Sequence, residues 1–152
     1  YAVNDKLTLN AQVNRIGWSE FDAINVDYPG GGDSIHQNYK DVTTGAIGLD
    51  YALSDKTTLR AGVGYDPTPT RDSLRTARIP DADRLLVSVG GSTEVTKGVT
   101  FDAGLTYIAF SDSDIYDDRT FYAGTPAATT SHLRGTAEGS ALVASLGARW
   151  AF

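Results

Sequence analysis

Residues 141–152 alternate strictly: Leu142, Ala144, Leu146, Ala148, Trp150 and Phe152 share one parity, and Ala141, Val143, Ser145, Gly147, Arg149 and Ala151 share the other. Successive side chains of a strand point to opposite faces, so this pattern predicts a strand with one apolar face that ends on an aromatic residue. The same period runs through Leu59, Ala61, Val63 and Tyr65 against Arg60, Gly62, Gly64 and Asp66. It recurs in Leu85, Val87 and Val89 against Arg84, Ser88, Gly90 and Glu94, and in Phe101, Ala103, Leu105 and Tyr107 against Asp102, Gly104 and Thr106. Ionisable residues thus collect on one side of each strand. Near the start, Leu7, Leu9, Ala11 and Val13 keep the pattern while Ile16 and Trp18 switch parity. A bulge near Arg15 would hold Ile16 and Trp18 on the apolar face and turn Phe21 away; without one, Trp18 joins the polar face.

The pattern predicts six strands, at 6–23, 39–53, 57–66, 83–95, 99–110 and 138–152, within a single segment 1–152. Connections alternate between tight turns at 54–56 and 96–98 and long polar loops at 24–38, 67–82 and 111–137. The strands of soluble sandwiches also alternate, but their connections are usually short at both ends. Outer-membrane barrels combine short turns on one side with long loops on the other, and need strands of about nine to eleven residues to cross the bilayer. In lipid every backbone N–H and C=O must be paired within the protein, which only helices and closed barrels achieve. A transmembrane helix is excluded, because no apolar run exceeds four residues, as in Tyr107–Phe110, and the mean hydropathy is −0.23. The expected fold is therefore all-β, an antiparallel transmembrane β-barrel.

Three places read alike: Asn4-Asp5-Lys6-Leu7-Thr8-Leu9, Ser54-Asp55-Lys56-Thr57-Thr58-Leu59 and Thr96-Lys97-Gly98-Val99-Thr100-Phe101. Each is a polar turn feeding a strand, so the repeat is a hairpin with one short and one long connection. Tyr51-Ala52-Leu53 before the second copy ends a strand, and Tyr1-Ala2-Val3 before the first resembles a strand end without its beginning. No charged-then-apolar leader opens the chain. The expectation is a carboxyl-terminal piece of a larger protein.

Sixteen glycines, eight tyrosines and two tryptophans favour strands and turns. The absence of cysteine suits an oxidising envelope, and a net charge of −6 argues against nucleic acid as a partner.

Several segments together carry a family likeness. Gly17-Trp18-Ser19-Glu20-Phe21, Tyr39-Lys40-Asp41, Leu59–Thr70 and Arg78-Ile79-Pro80-Asp81-Ala82-Asp83-Arg84 resemble, in this order, the long-chain fatty-acid transporter family of outer-membrane barrels, which also includes toluene and xylene channels. The resemblance runs from about Ala11 to Phe152. It implies a fourteen-stranded barrel with an amino-terminal plug, of which this chain would be the carboxyl-terminal six-strand portion. It further implies uptake of hydrophobic compounds, most characteristically long-chain fatty acids, by passive ligand-gated diffusion. The partners implied are hydrophobic small molecules, outer-membrane lipid and lipopolysaccharide, and the missing amino-terminal strands and plug. A hydrocarbon channel and a structural or adhesive barrel are the competing readings.

A fatty acid needs an apolar slot and a cation near its carboxylate. Lys40, beside the outer end of the second strand, and Arg60, inward-facing by parity, are the candidate cations. Each could instead be an internal charge paired with Asp41, Asp50, Asp66 or Asp102. Trp18 and Phe21 either line the slot or belong to the interfacial aromatic girdle. Pro67, Pro69 and Pro80 with Asp81 and Asp83 read as a stiffened loop. Asp112, Asp114, Asp117 and Asp118 read as a solvated acidic loop, since the glycine and glutamate of a calcium loop are missing. His36 and His132 fall in loops, without metal-ligand spacing or a nucleophile motif. No enzymatic activity, cofactor or metal is expected.

Overall fold

A computed structural model describes residues 1–151, the side chain of Asp33 excepted, so Phe152 of the terminal alternation lies outside the described residues. Ten strands form in chain order: β1 (Leu7–Ile16), β2 (Ala23–Tyr28), β3 (Gly31–His36), β4 (Val42–Ser54), β5 (Thr57–Asp66), β6 (Arg84–Thr96), β7 (Val99–Phe110), β8 (Ser113–Phe121), β9 (Thr129–Ala137) and β10 (Ser140–Trp150). Six of them make one antiparallel sheet in the order β1-β4-β5-β6-β7-β10, with β1 and β10 at its edges. β2 with β3 and β8 with β9 are separate hairpins. The six sheet strands run 10 to 13 residues, long enough to cross a bilayer.

The two turns at one end are tight. Gly98 has φ +78°, and a Cβ there would lie 2.8 Å from the Ala151 carbonyl oxygen, so the β6–β7 turn requires glycine. At 54–56 the Lys56 amide donates to Ser54 Oγ at 3.3 Å, and the register of both turn-end pairs shifts by a bulge. Tyr1–Val3 fold back on β1 through an Ala2–Thr8 bridge.

Register puts the apolar columns of neighbouring strands side by side: Ile47 opposite Val63, Val63 opposite Val87, Val87 opposite Tyr107, and Tyr107 opposite Leu142. These are the exposed residues. Leu146 is 89% exposed, Val13 76% and Ile47 64%, whereas the polar-face residues Gly62, Ser88, Asp102 and Thr106 are half-buried. Water would oppose this arrangement of large apolar side chains outward and polar groups inward; hydrocarbon requires it.

The first strand departs from expectation. Pairing with β4 is regular through Arg15–Thr43 and Ile16–Val42, with no bulge, and then stops. Gly17 leads into a single 3-10 turn, Trp18–Glu20, because the Asp41 carboxylate accepts the Ser19 amide at 3.0 Å and draws the chain off the sheet. Ile16 therefore shares the polar face with Gln12 and Asn14, opposite the buried Val42. The second strand begins at Val42 instead of residue 39, and Asn38 before it has φ +44°. Of the long connections, 24–38 and 111–137 are hairpins, Ala23–Tyr28 pairing with Gly31–His36 and Ser113–Phe121 with Thr129–Ala137.

Candidate functional site

The buried side chains gather where the long connections meet, at the loop end of the sheet. Val42, Ala82, Ile115, Thr68, Pro69, Thr70, Arg75 and Ser113 make up this small core among the described residues. Residues 67–82 lie across it and are pinned by their own carboxylates. Asp83 accepts the Thr68 amide at 2.8 Å and the Tyr65 hydroxyl at 2.5 Å, and Asp81 accepts the Thr68 hydroxyl at 2.5 Å. Arg84 lies 3.3 Å from Asp66 and 3.8 Å from Asp81. Arg75, only 5% exposed, donates to the Asp81 carbonyl at 2.9 Å and the Asp114 carbonyl at 3.2 Å, and pairs with Asp72 at 2.9 Å. The Ile-Pro-Asp-Ala-Asp-Arg segment is thus the clasp of this loop and joins it to β8.

Burial alone would raise Asp83; the bonds from Tyr65 and Thr68 and the charges of Lys40 and Arg75 outweigh it and hold the carboxyl below its ordinary range. Asp41 is held low as well, first by the Ser19 hydroxyl and amide and then by Arg15.

At the same end stands an aromatic cluster. Tyr39 meets Trp18 edge-on with ring centroids 6.1 Å apart and Phe21 at 5.4 Å. Lys40 follows directly; its amide donates to the Pro69 carbonyl at 3.0 Å. Its side chain is exposed, and its ammonium makes no hydrogen bond or ion pair among the described residues, although it lies within electrostatic reach of Asp83. Trp18 and Phe21 therefore come together on Tyr39, which sequence reasoning did not single out, and Lys40 is its neighbour in the chain.

Arg60 belongs to a different place. Its Nε lies 3.2 Å from Asp50, and its Nη1 donates to Ser92 Oγ at 3.0 Å, while Asn10 donates to the same Asp50 at 2.9 Å. Beside them Arg149 binds Asp102 through two bonds of 2.9 and 3.0 Å. This polar ladder crosses the turn end of the sheet. At about 3.3 Å per residue, the eight steps from Val42 to Asp50 along β4 cover about 26 Å, and Lys40 precedes Val42, so one headgroup does not span both cations. Between them the polar face is bare: Gly48 faces Gly62 and Gly90 faces Gly104 across the strands. They floor a depression of about 430 Å³, walled by Asp50, Arg60 and Thr106. A Cβ on Gly90 would lie 2.8 Å from the Ala103 carbonyl oxygen, so the floor has no room for side chains.

The acidic stretch of the third connection is split by strand geometry. Asp114 and Asp118 point to one face of β8 and Asp117 to the other; they bond to Thr136, Arg134 and Arg119 respectively. No group of three His, Cys, Asp or Glu side chains able to hold a metal ion exists among the described residues. His132 Nδ1 sits 2.9 Å from Asp118.

The whole chain, residues 1–152, matches the family described as Outer membrane protein transport protein (OMPP1/FadL/TodX). Outer membrane protein P1 of Haemophilus influenzae is 31% identical over 110 residues, covering 71% of this chain and 24% of that protein. The Long-chain fatty acid transport protein of Escherichia coli K12 is 31% identical over 94 residues, covering 60% of this chain and 21% of that protein. The crystal structure of a Pseudomonas aeruginosa FadL homologue superposes with a TM-score of 0.88 at 31% identity, covering 99% of this chain and 33% of that one. The chain thus spans about a quarter of the length of the curated relatives it matches. With an exposed apolar face, a charged inner face and this match from end to end, the chain belongs to the OMPP1/FadL/TodX family of outer-membrane transport proteins and is part of its β-barrel.

Proposed function

We propose that this chain forms the carboxyl-terminal wall of a fourteen-stranded barrel that takes up hydrophobic compounds, with long-chain fatty acids as substrates, by passive ligand-gated diffusion. The loop end faces the cell exterior, near lipopolysaccharide; the rest of the barrel and a plug complete the lumen. The observation that supports this reading is the exposed Lys40 ammonium, without a hydrogen bond or ion pair among the described residues, one residue along the chain from Tyr39 of the Trp18–Tyr39–Phe21 cluster. An acyl chain gains by leaving water for aromatic surface, and a carboxylate gains a charge-assisted hydrogen bond from lysine. Trp18 and Phe21 serve as slot walls and Lys40 as headgroup contact. Arg60, committed to Asp50 and Ser92, serves as a wall charge of the lumen, a secondary contact at most.

The test is uptake in cells whose other fatty-acid routes are deleted. Full-length protein is expected to restore entry of labelled oleate and not of a zwitterionic amino acid. Failure to restore oleate entry, with the protein folded in the outer membrane, contradicts the substrate class; entry of a saturated alkane alone assigns it to the hydrocarbon channels.

A further inference from the structure

The β8–β9 hairpin has two unlike faces. The face carrying Ser113, Ile115 and Asp117 packs on residues 67–82 near its base, where Ser113 and Ile115 are buried. Toward the tip the same face separates from the loop and leaves a crevice of about 280 Å³. One wall is the turn Thr76–Ile79, closed by an Ile79 N–H to Thr76 carbonyl bond of 3.1 Å, with Ala77 and Arg78 at its crest. The other wall is Asp117, Arg119, Phe121 and Leu133.

The charges of this crevice do not cancel. Arg119 gives its Nε to both oxygens of Asp117, at 3.0 and 3.1 Å, which neutralises that pair. Arg78 has no hydrogen bond or ion pair among the described residues and is exposed. One positive charge therefore remains in a chain of net charge −6, a few side chains from the apolar surfaces of Phe121 and Leu133. A monoanion suits that balance. A dianionic phosphate does not, because the single Arg78 charge leaves its second negative charge uncompensated. The volume is just below the range of complete small-ligand pockets, so it admits a headgroup and the first carbons of a chain and leaves the remainder outside.

We propose that this crevice binds a monoanionic amphiphile, a carboxylate joined to an acyl chain, with its headgroup on Arg78 and its first carbons against Phe121 and Leu133. It would hold a substrate at the surface before the mouth, rests on the uptake reading for the source of that carboxylate, and stands apart from Lys40 as a site.

The experiment uses the full-length protein in nonionic detergent and three photoreactive probes of equal chain length: a medium-chain carboxylic acid, the corresponding alcohol and the corresponding phosphate monoester, each with a diazirine near the headgroup. Labelled residues are mapped by mass spectrometry. The acid is expected to label the peptides bearing Phe121 and Leu133, to lose about tenfold of that labelling in Arg78→Gln and to keep it in Arg78→Lys. Arg78 makes no hydrogen bond or ion pair among the described residues, so its replacement removes none of their bonds. No labelling there, undiminished labelling in Arg78→Gln, or equal labelling by the alcohol overturns the proposal; stronger labelling by the phosphate overturns the assigned class. Lys40→Ala is run in parallel. Crevice labelling with a mouth indifferent to Lys40→Ala overturns the uptake reading alone, and a responsive mouth with a silent crevice overturns this proposal alone.

Discussion

The Tyr65 hydroxyl donates to Asp83 at 2.5 Å, tying the last residue of β5's exposed apolar column to the loop at that end of the sheet. The other oxygen of the same carboxylate takes the Thr68 amide at 2.8 Å, so one aspartate closes residues 67–82 onto the strand end. Asp83→Asn is expected to lower the opening free energy of this loop by about 1–3 kcal/mol, read as faster proteolysis within 67–82 while the sheet stays intact. Unchanged cleavage in Asp83→Asn contradicts the clasp.

The clasp also has a pH dependence of known sign. Asp83 titrates below the ordinary carboxylate value when folded, so its stabilisation is fully present above the unfolded value of about 3.9 and is lost as pH falls through the folded one. Hydrogen-exchange protection of the Thr68 amide, corrected for intrinsic rate, is expected to hold from neutrality to about pH 5 and to decline only below about pH 4. A midpoint near neutrality would implicate another group.

Asp118 supplies a second titration, remote from the sheet. Two bonds from Arg134, at 2.6 and 2.8 Å, and then the His132 contact lower its carboxyl to about 2. Carbon-13 NMR of labelled aspartate is expected to find one carboxyl with this value, moving back toward about 3.9 in Arg134→Gln. The same midpoint in both proteins would mean that the arginine does not hold it.

Face assignment has its own test. Val87 lies between Val63 and Tyr107 on the exposed apolar face, and its neighbour Ser88 bonds Thr106 at 2.9 Å on the other face, opposite Gly62. Val87→Arg is expected to destabilise the folded barrel by about 2–4 kcal/mol in lipid, if the site is near midplane, and Ser88→Arg by much less. Reversible urea titration in bilayers measures both; equal costs would refute the assignment.

The sheet was legible because its chemistry is periodic. Leu59 to Tyr65 and Phe101 to Tyr107 keep one parity from end to end, and β5 and β7 follow it. What was not legible depends on contacts distant in sequence. Alternation between Ile16 and Phe21 continued on paper, but a single carboxylate, Asp41, captures the Ser19 amide and ends the strand. The β2–β3 and β8–β9 hairpins were hidden because polar residues and glycines occupy both faces of β3, β8 and β9 and leave only the short run Ile24, Val26, Tyr28 alternating. Lys40, Trp18 and Phe21 were named from the family likeness, whereas Tyr39, which the rings of Trp18 and Phe21 meet, was not, because that contact is set by another segment. Arg60 was correctly oriented by parity, yet only the register shows it opposite Asp50 and far from Lys40.

The measurement closest to the central claim is titration of Lys40→Ala in the full-length protein with oleate and with an uncharged alkane of similar length. If the Lys40 ammonium receives the carboxylate, loss of a charge-assisted hydrogen bond of about 1.5–3 kcal/mol weakens oleate binding by about tenfold to a hundredfold and leaves the alkane nearly unaffected. Equal loss for both ligands, or loss for neither, would contradict it.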